Sequence, residues 1–556
     1  MRITTWLGIG FSLILASCAP LQKENELRTW IDHHVAEIEP LMKAANLAYW
    51  NAAVTGDQAY FTDYAAHHLD LKKIYSNRED FERLKQAASN RIKDPLLARQ
   101  TDVLLNAYLE NQIDPDLLEK MVSLQSRIGQ TFSTFRGMMD GKRVSGNTIE
   151  TLLKAEKDEI RRRKAWEAGK QVGPAVASDI LELVRLRNQA ARSLGFDNYH
   201  TMALTVSGQN PETIDTLFAV LAGMTREPFK SVKYELDDIL SDQYDRPPES
   251  LAPWHYHDPF FQETPLVFKL DLDVYYRDRD IRQIAVDFFR GIGLDVREIL
   301  ERSDLYEKEG KNPHAFSIDI DREGDIRILC NLENNERWME TLLHELGHAV
   351  YDAHIGTDVP FLLRDPAHAF TTEAVAMLFG RLSRDPGWMA AMLGLDDSER
   401  TRIADVATKY ARLKQLIFAR WSMVMYRFEK ALYTNPDQDL NALWWRLVWE
   451  YQMVKQPAGR NQPDWATKIH IALYPCYYHN YLLGELLASQ LHHTLAGLDG
   501  QQNVHPTVNY VDNPEIGRFL RDRIFAPGKR YAWNEMIRRA TGEPLTPRYY
   551  VAQFVE

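Results

Sequence analysis

His344, Glu345 and His348 are the residues of this chain best arranged to do chemistry, within Met339-Glu340-Thr341-Leu342-Leu343-His344-Glu345-Leu346-Gly347-His348-Ala349-Val350. On an α-helix, side chains four residues apart stand on one face, so both imidazoles can hold a single ion. Glu345, next to the first histidine, can reach a water beside that ion, which makes it a candidate general base. A packed helix carrying two histidines by accident would show the same apolar surroundings, Leu342, Leu343, Leu346, Ala349 and Val350. Residue frequencies produce such a five-residue pattern by accident in roughly one chain of this length in a hundred, so the spacing points to one zinc ion and a hydrolase.

Zinc in a hydrolase takes three protein ligands and keeps a position open for water. The side chains that follow His348 and could complete the set are Asp352, His354, Asp358, Asp365, His368 and Glu373. His354 lies six residues on, roughly 240° around a continuous helix, and so faces away; Tyr351 occupies the place where a glycine would turn the chain back. Glu373 opens a new helical stretch, Thr371 to Phe379, beyond a loop containing Pro360 and Pro366. It is the expected third ligand, although an acidic residue also suits the first turn of any helix. Asp352 could accept a hydrogen bond from His348, or stand solvated on its helix.

These residues need a frame, and the periodicity predicts a mainly α one. From about Glu24 to Tyr244 apolar residues recur at three and four, with mixed-charge runs such as Glu156 to Lys164 as solvated faces. Gly141 to Asn147 and Arg246 to Ser250 break the pattern. Immediately before the histidine helix, Ala315 to Ile320 and Asp325 to Cys330 alternate on either side of a glycine-containing turn and predict a β-hairpin. Helices are expected again from about Asn335, and over Ile403 to Tyr433, Leu440 to Met453 and Tyr481 to Leu495. With 556 residues, 45% of them hydrophobic, the chain can bury a large core. A formal charge of -12 excludes a general nucleic-acid binder.

Arg2 precedes a short apolar run, Trp6 to Leu15, followed by Ala16-Ser17-Cys18. The run is too short for a comfortable membrane span and reads as a secretory signal. Leu15-Ala16-Ser17-Cys18 resembles a bacterial lipobox, so residues 1–17 are expected to be a lipoprotein signal and Cys18 the lipidated residue, followed by a linker to residue 25. The remainder, 26–556, is expected to be one catalytic unit in two parts, 26–250 and 251–556, with the zinc site in the second. The location implied is a lipid-anchored position in a bacterial envelope, facing the periplasm. Cys330 and Cys476 then allow one disulfide or two thiols.

With the hairpin, the histidine helix and Glu373 in place, the chain resembles the zinc oligopeptidases of the angiotensin-converting enzyme (peptidyl-dipeptidase A) and thimet oligopeptidase type. The likeness extends to His314-Ala315 before the hairpin, to Thr467-Lys468-Ile469-His470-Ile471, and to Tyr474-Pro475-Cys476-Tyr477-Tyr478-His479-Asn480-Tyr481. Tyr481-Leu482-Leu483-Gly484-Glu485 is closer to the thimet form, and Leu186-Arg187-Asn188 with Leu194 to Tyr199 is similar to a segment common in these enzymes. The spacing of the second histidine and Glu373, 373 - 348 = 25, also suits the thimet type slightly better. The resemblance implies a deep channel between two helical halves, with 26–250 covering it and 251–556 carrying the zinc site, His344, His348 and Glu373 on zinc and Glu345 as base. It further implies Tyr481 as donor to the carbonyl oxygen, with His470 beside it, and His314, Ala315, Lys468 and Tyr478 as substrate contacts. Four positions depart from it. Met377 stands where an aspartate supports a zinc histidine; Pro313 stands where a cysteine would pair with Cys330; Asn480 stands where an arginine precedes the tyrosine, which sets chloride activation aside; and the glutamine that helps hold a C-terminal carboxylate has no clear counterpart near Trp254-His255-Tyr256.

The expected function is peptidyl-dipeptidase action on short peptides, with Lys468 capturing the free C-terminus. An endo-oligopeptidase of thimet type is the second expectation, and a peptide-binding lipoprotein without catalysis the third.

Overall fold

The computed structural model describes the backbone of residues 9–268, 270–498 and 510–555, and side chains from residue 22 onward. The signal-peptide and Cys18 expectations therefore concern residues outside those described in full. Among the described residues no helix is long and apolar enough to cross a membrane.

The fold is mainly α, as the periodicity predicts, with two small antiparallel hairpins. What reads as one long helical region in the N-terminal part is a series of separately capped helices. Asp94, Asp114 and Asn210 each accept backbone N–H groups with their side chains and are each followed by proline at the first helical position. Proline there loses no hydrogen bond and fixes the right φ, so each pair starts a helix sharply.

The break at Gly141 is a hairpin rather than a plain loop. Gly137–Met139 pairs with Lys142–Val144, and the chain reverses through Asp140 and Gly141, both at positive φ (50° and 76°). Asp-Gly is a favoured pair for such a turn, but strands of three residues carry too little alternation to be read.

The second hairpin matches expectation. Phe316–Asp319 runs antiparallel to Ile326–Leu329, with Phe316 opposite Leu329 and Asp319 opposite Ile326. Trp50 and Ala53 of the first helix pack on it with Ile320 and Leu329, and the helix Glu336–Ala353 covers it from the other side. The N-terminal part thus anchors the strand that lies over the candidate base.

Three helices form the centre of the C-terminal part: Glu336–Ala353, hereafter the motif helix; Ala369–Gly380, the ligand helix; and His479–Leu498, the tyrosine helix. They approach closely because glycines face the contacts. A Cβ on Gly347 would lie 2.6 Å from the Ala376 Cα, so only glycine allows the motif and ligand helices this separation. Gly484 does similar work on the other side, where an added Cβ would lie 3.3 Å from the Met377 sulfur and 3.4 Å from the Glu373 Cβ. Cys330 and Cys476 are both buried and free, which resolves the cysteine question in favour of two thiols.

Candidate metal centre

Asn335 caps the motif helix, its side chain accepting from the Trp338 N–H. The helix buries its apolar face and turns His344 and His348 toward the ligand helix. His344 Nε2 and His348 Nε2 lie 3.3 Å apart. Glu373 Oε2 is 3.7 Å from the first and 4.0 Å from the second. Bond lengths of 2.0–2.1 Å in a tetrahedral zinc site put neighbouring ligand atoms about 3.3–3.4 Å apart. Two nitrogens and one oxygen at these separations fit zinc with little adjustment, and they form the one such cluster found among the described residues.

The local electrostatics suit a cation. Burial holds the imidazoles well below their ordinary range, His344 at about 4 and His348 at about 3, so both stay neutral and can donate a lone pair. Burial also pushes the Glu373 carboxyl up to about 7; a divalent cation reverses that penalty. His348 Nδ1 lies 2.8 Å from Thr372 Oγ1. With the hydroxyl accepting from Nδ1–H, Nε2 is left free for the metal. This threonine supplies an orienting contact where Met377 cannot.

The other five candidates for third ligand are engaged elsewhere. His354 Nδ1 lies 2.9 Å from the Val350 carbonyl of its own helix. His368 caps the ligand helix, accepting from the Phe370 N–H at 3.2 Å. Asp358 pairs with Arg530 at 2.9 Å, and Asp365 pairs with Lys529. Asp352 is pushed well up by burial and then by Asp319 and Asp365, and the His348 Nδ1 contact goes to Thr372 in its place.

Glu345 is buried under the hairpin, where its carboxylate accepts from the Ser317 backbone N–H. Burial first, and then the charge of Glu373, push it up to about 8. The Cys330 thiol lies within the field of Glu345 and is itself pushed up by burial.

Tyr481, at the start of the tyrosine helix, stands near Glu373, whose charge adds to burial in raising the phenol above its ordinary value. Tyr477 shares this position: its ring is 5.4 Å from that of Tyr481, and burial followed by Glu373 raises its hydroxyl too. Sequence reasoning passed over Tyr477, whose one available signal was its place in the tyrosine-rich Tyr474 to Tyr481 block. Asn480, in the first turn of the tyrosine helix, accepts from Gln209 Nε2 at 2.7 Å.

A second polar group stands behind the tyrosines. Lys468 is buried, with its ammonium 5.3–5.4 Å from the ring centres of Phe260, Trp421 and Tyr478. It donates to Gln262 Oε1 at 2.6 Å. A glutamine therefore does stand beside this lysine, eight residues after Trp254, near which no clear counterpart was expected. Tyr478 accepts from Trp421 Nε1 at 2.8 Å, and the His470 ring lies 5.1 Å from it. His470 is held neutral, at about 4, by burial and then by Lys468, and its Nδ1 is buried without a partner. His314 is exposed at the entry to the hairpin, its backbone N–H donating to Asn312, and Ala315 follows it half-buried. The structure thus joins two histidines, a glutamate, a base and two tyrosines on one side, and a lysine–glutamine pair in an aromatic box on the other.

Comparison with known proteins gives a consistent picture. The chain matches the family model of peptidase M2, angiotensin-converting enzyme, over residues 21–242 and 263–548. It is similar to angiotensin-converting enzyme of Mesocricetus auratus, 24% identical over 277 residues, 48% of this chain and 21% of that protein. It is similar also to the angiotensin-converting enzyme-related protein of Drosophila melanogaster, 23% identical over 244 residues, 41% of this chain and 38% of that protein. A third relative is carboxypeptidase 1 of Bacillus subtilis, 22% identical over 268 residues, 43% of this chain and 51% of that protein. The chain thus covers about half or less of the length of each of these relatives.

Proposed function

The chain belongs to the angiotensin-converting enzyme family of peptidases, and from that premise we propose that it is a zinc-dependent peptidase which shortens small peptides from the C-terminus, releasing dipeptides. The observation that carries the proposal is the Lys468 ammonium bonded to Gln262 within an aromatic box. A buried cation beside an amide is suited to a carboxylate, since a charged hydrogen bond is strongest where water is excluded.

His344, His348 and Glu373 would hold a zinc ion, which when bound would supply Lewis acidity at the scissile carbonyl and lower the pKa of an attacking water. Glu345 takes the proton from that water and delivers it to the leaving amine. The Ser317 N–H holds its carboxylate in place, and the hairpin above it excludes solvent. Tyr481 donates to the carbonyl oxygen as charge develops there, with Tyr477 and His470 close by. His314 and Ala315, at the edge of the strand, are available to receive the peptide backbone. Lys468, Gln262 and Tyr478 fix the C-terminus, and the distance from them to the zinc ligands sets the length removed. The N-terminal helices, as the covering half of a channel, would admit peptides and keep folded proteins out.

Mass spectrometry of products from a peptide library tests the proposal: C-terminal dipeptides are expected, and internal fragments without regard to the C-terminus would favour an endo-oligopeptidase instead. We further propose lipid attachment at Cys18 and a position in the bacterial envelope. Detergent partitioning of the wild type and Cys18→Ser checks this, and equal partitioning of the two would contradict it.

A further inference from the structure

The chain between Trp254 and Glu263 follows a costly path. His257 and Phe261, neither of them glycine, adopt left-handed backbone at φ 68° and 50°. Such conformations persist only where the surroundings hold them. Here polar groups do so from both sides of the backbone. The buried Asp258 carboxylate accepts the Phe260 N–H on Oδ1 at 2.8 Å, and the Gln262 and Glu263 N–H groups on Oδ2 at 3.0 and 3.1 Å. The carbonyls are taken by other elements: Trp166 Nε1 donates to Pro259 O at 3.1 Å, and Gln452 Nε2 to Phe260 O at 3.1 Å and Phe261 O at 2.6 Å. Each peptide unit from Pro259 to Gln262 is therefore held by at least one hydrogen bond before any ligand arrives.

The loop also carries one wall of the aromatic box. The Phe260 ring has the Lys170 ammonium 3.5 Å and the Lys468 ammonium 5.3 Å from its centre. Burial disfavours the Lys468 cation, and the negative charge of Asp258 first, then of Glu263, works against it.

We propose that Asp258 is a positioning residue for recognition of the substrate's C-terminal carboxylate: it gathers the loop amides so that Gln262 meets Lys468, and its charge keeps a cation in the box. It does this without touching the substrate. The bond to Lys468 uses the Gln262 oxygen and leaves the Nε2 hydrogens to donate to a carboxylate oxygen. The inference deepens the carboxylate-capture proposal and rests on it.

The test compares one peptide as free acid and as amide on wild type, Asp258→Asn and Lys468→Met, each purified with zinc. Asparagine removes the charge and sets an NH2 group against the loop amides. For Asp258→Asn the expected result is a KM for the free acid raised about tenfold, with kcat and the amide's kinetics close to wild type. An Asp258→Asn enzyme unchanged on both peptides, or equally impaired on both while its zinc content and Tm are retained, would overturn the inference. If Lys468→Met affects acid and amide alike, the capture proposal itself fails; if it discriminates and Asp258→Asn does not, only the role of Asp258 fails. Should Asp258→Asn not fold, hydrogen exchange on the wild-type protein decides: the Phe260, Gln262 and Glu263 amides are expected to be protected without peptide. Free exchange there until a peptide binds would contradict the inference.

Discussion

Thr372 and His348 are joined by a 2.8 Å contact between hydroxyl and Nδ1, so the residue just before the third ligand orients the second. One turn of the ligand helix thereby supplies both Glu373 and the support for the histidine opposite it. Thr372→Val keeps the shape and removes the acceptor. Zinc affinity is expected to fall about 10–100-fold, measured by competition with a chelating dye, with little change in Tm of the zinc-loaded protein.

The proposed mechanism makes Glu345 the base and leaves it out of the ligand set. Glu345→Gln is expected to bind one equivalent of zinc and to lose about 10²–10⁴-fold in kcat, whereas chelation of the wild type abolishes hydrolysis and added zinc restores it. Metal analysis with single-peptide kinetics checks both. Retained zinc with wild-type and variant equally inert on a broad peptide library would favour a binding protein.

Gly347 sets the distance between His348 and Glu373. Gly347→Ala would drive a methyl to 2.6 Å from the Ala376 Cα, and the two helices must part. Overpacking of this kind costs about 1–3 kcal/mol. A lowered Tm is expected together with weaker zinc binding, and both are read in a thermal melt with and without zinc.

Lys468 gives the reaction an alkaline limit. Burial lowers its pKa to about 8, against the charges of Asp258 and Glu263. A lysine lowered in this way is cationic below that value and neutral above it. Capture of a carboxylate is therefore complete at pH 7 or below and fades as the pH rises through about 8. Profiles of kcat/KM report groups of the free enzyme, so free-acid peptides should show this alkaline limb and amidated ones should not.

Much of the site was legible because it is local. The His344–His348 spacing needs only helix geometry; Glu373 was one of six candidate side chains, and its choice as third ligand rested on resemblance to zinc peptidases with a glutamate on a second helix as well as on its place at a helix start. His354 could be set aside by angle alone, and its side chain does bond to its own helix. Thr372 could not be read in this way, since its contact depends on how two helices rotate about Gly347. Gln262 was missed for a related reason: the loop that carries it is shaped by Trp166 and Gln452, which are distant in sequence. The Gly137–Met139 hairpin had a local signal in Asp140-Gly141 but strands too short to register.

The most direct test of reading from the C-terminus is the kcat/KM of the wild-type enzyme on one peptide as free acid and as C-terminal amide. A charged hydrogen bond lost in a buried site predicts a preference of about 10–100-fold for the acid, with the C-terminal dipeptide as product. Equal hydrolysis of the two forms would contradict carboxylate capture by Lys468 and Gln262.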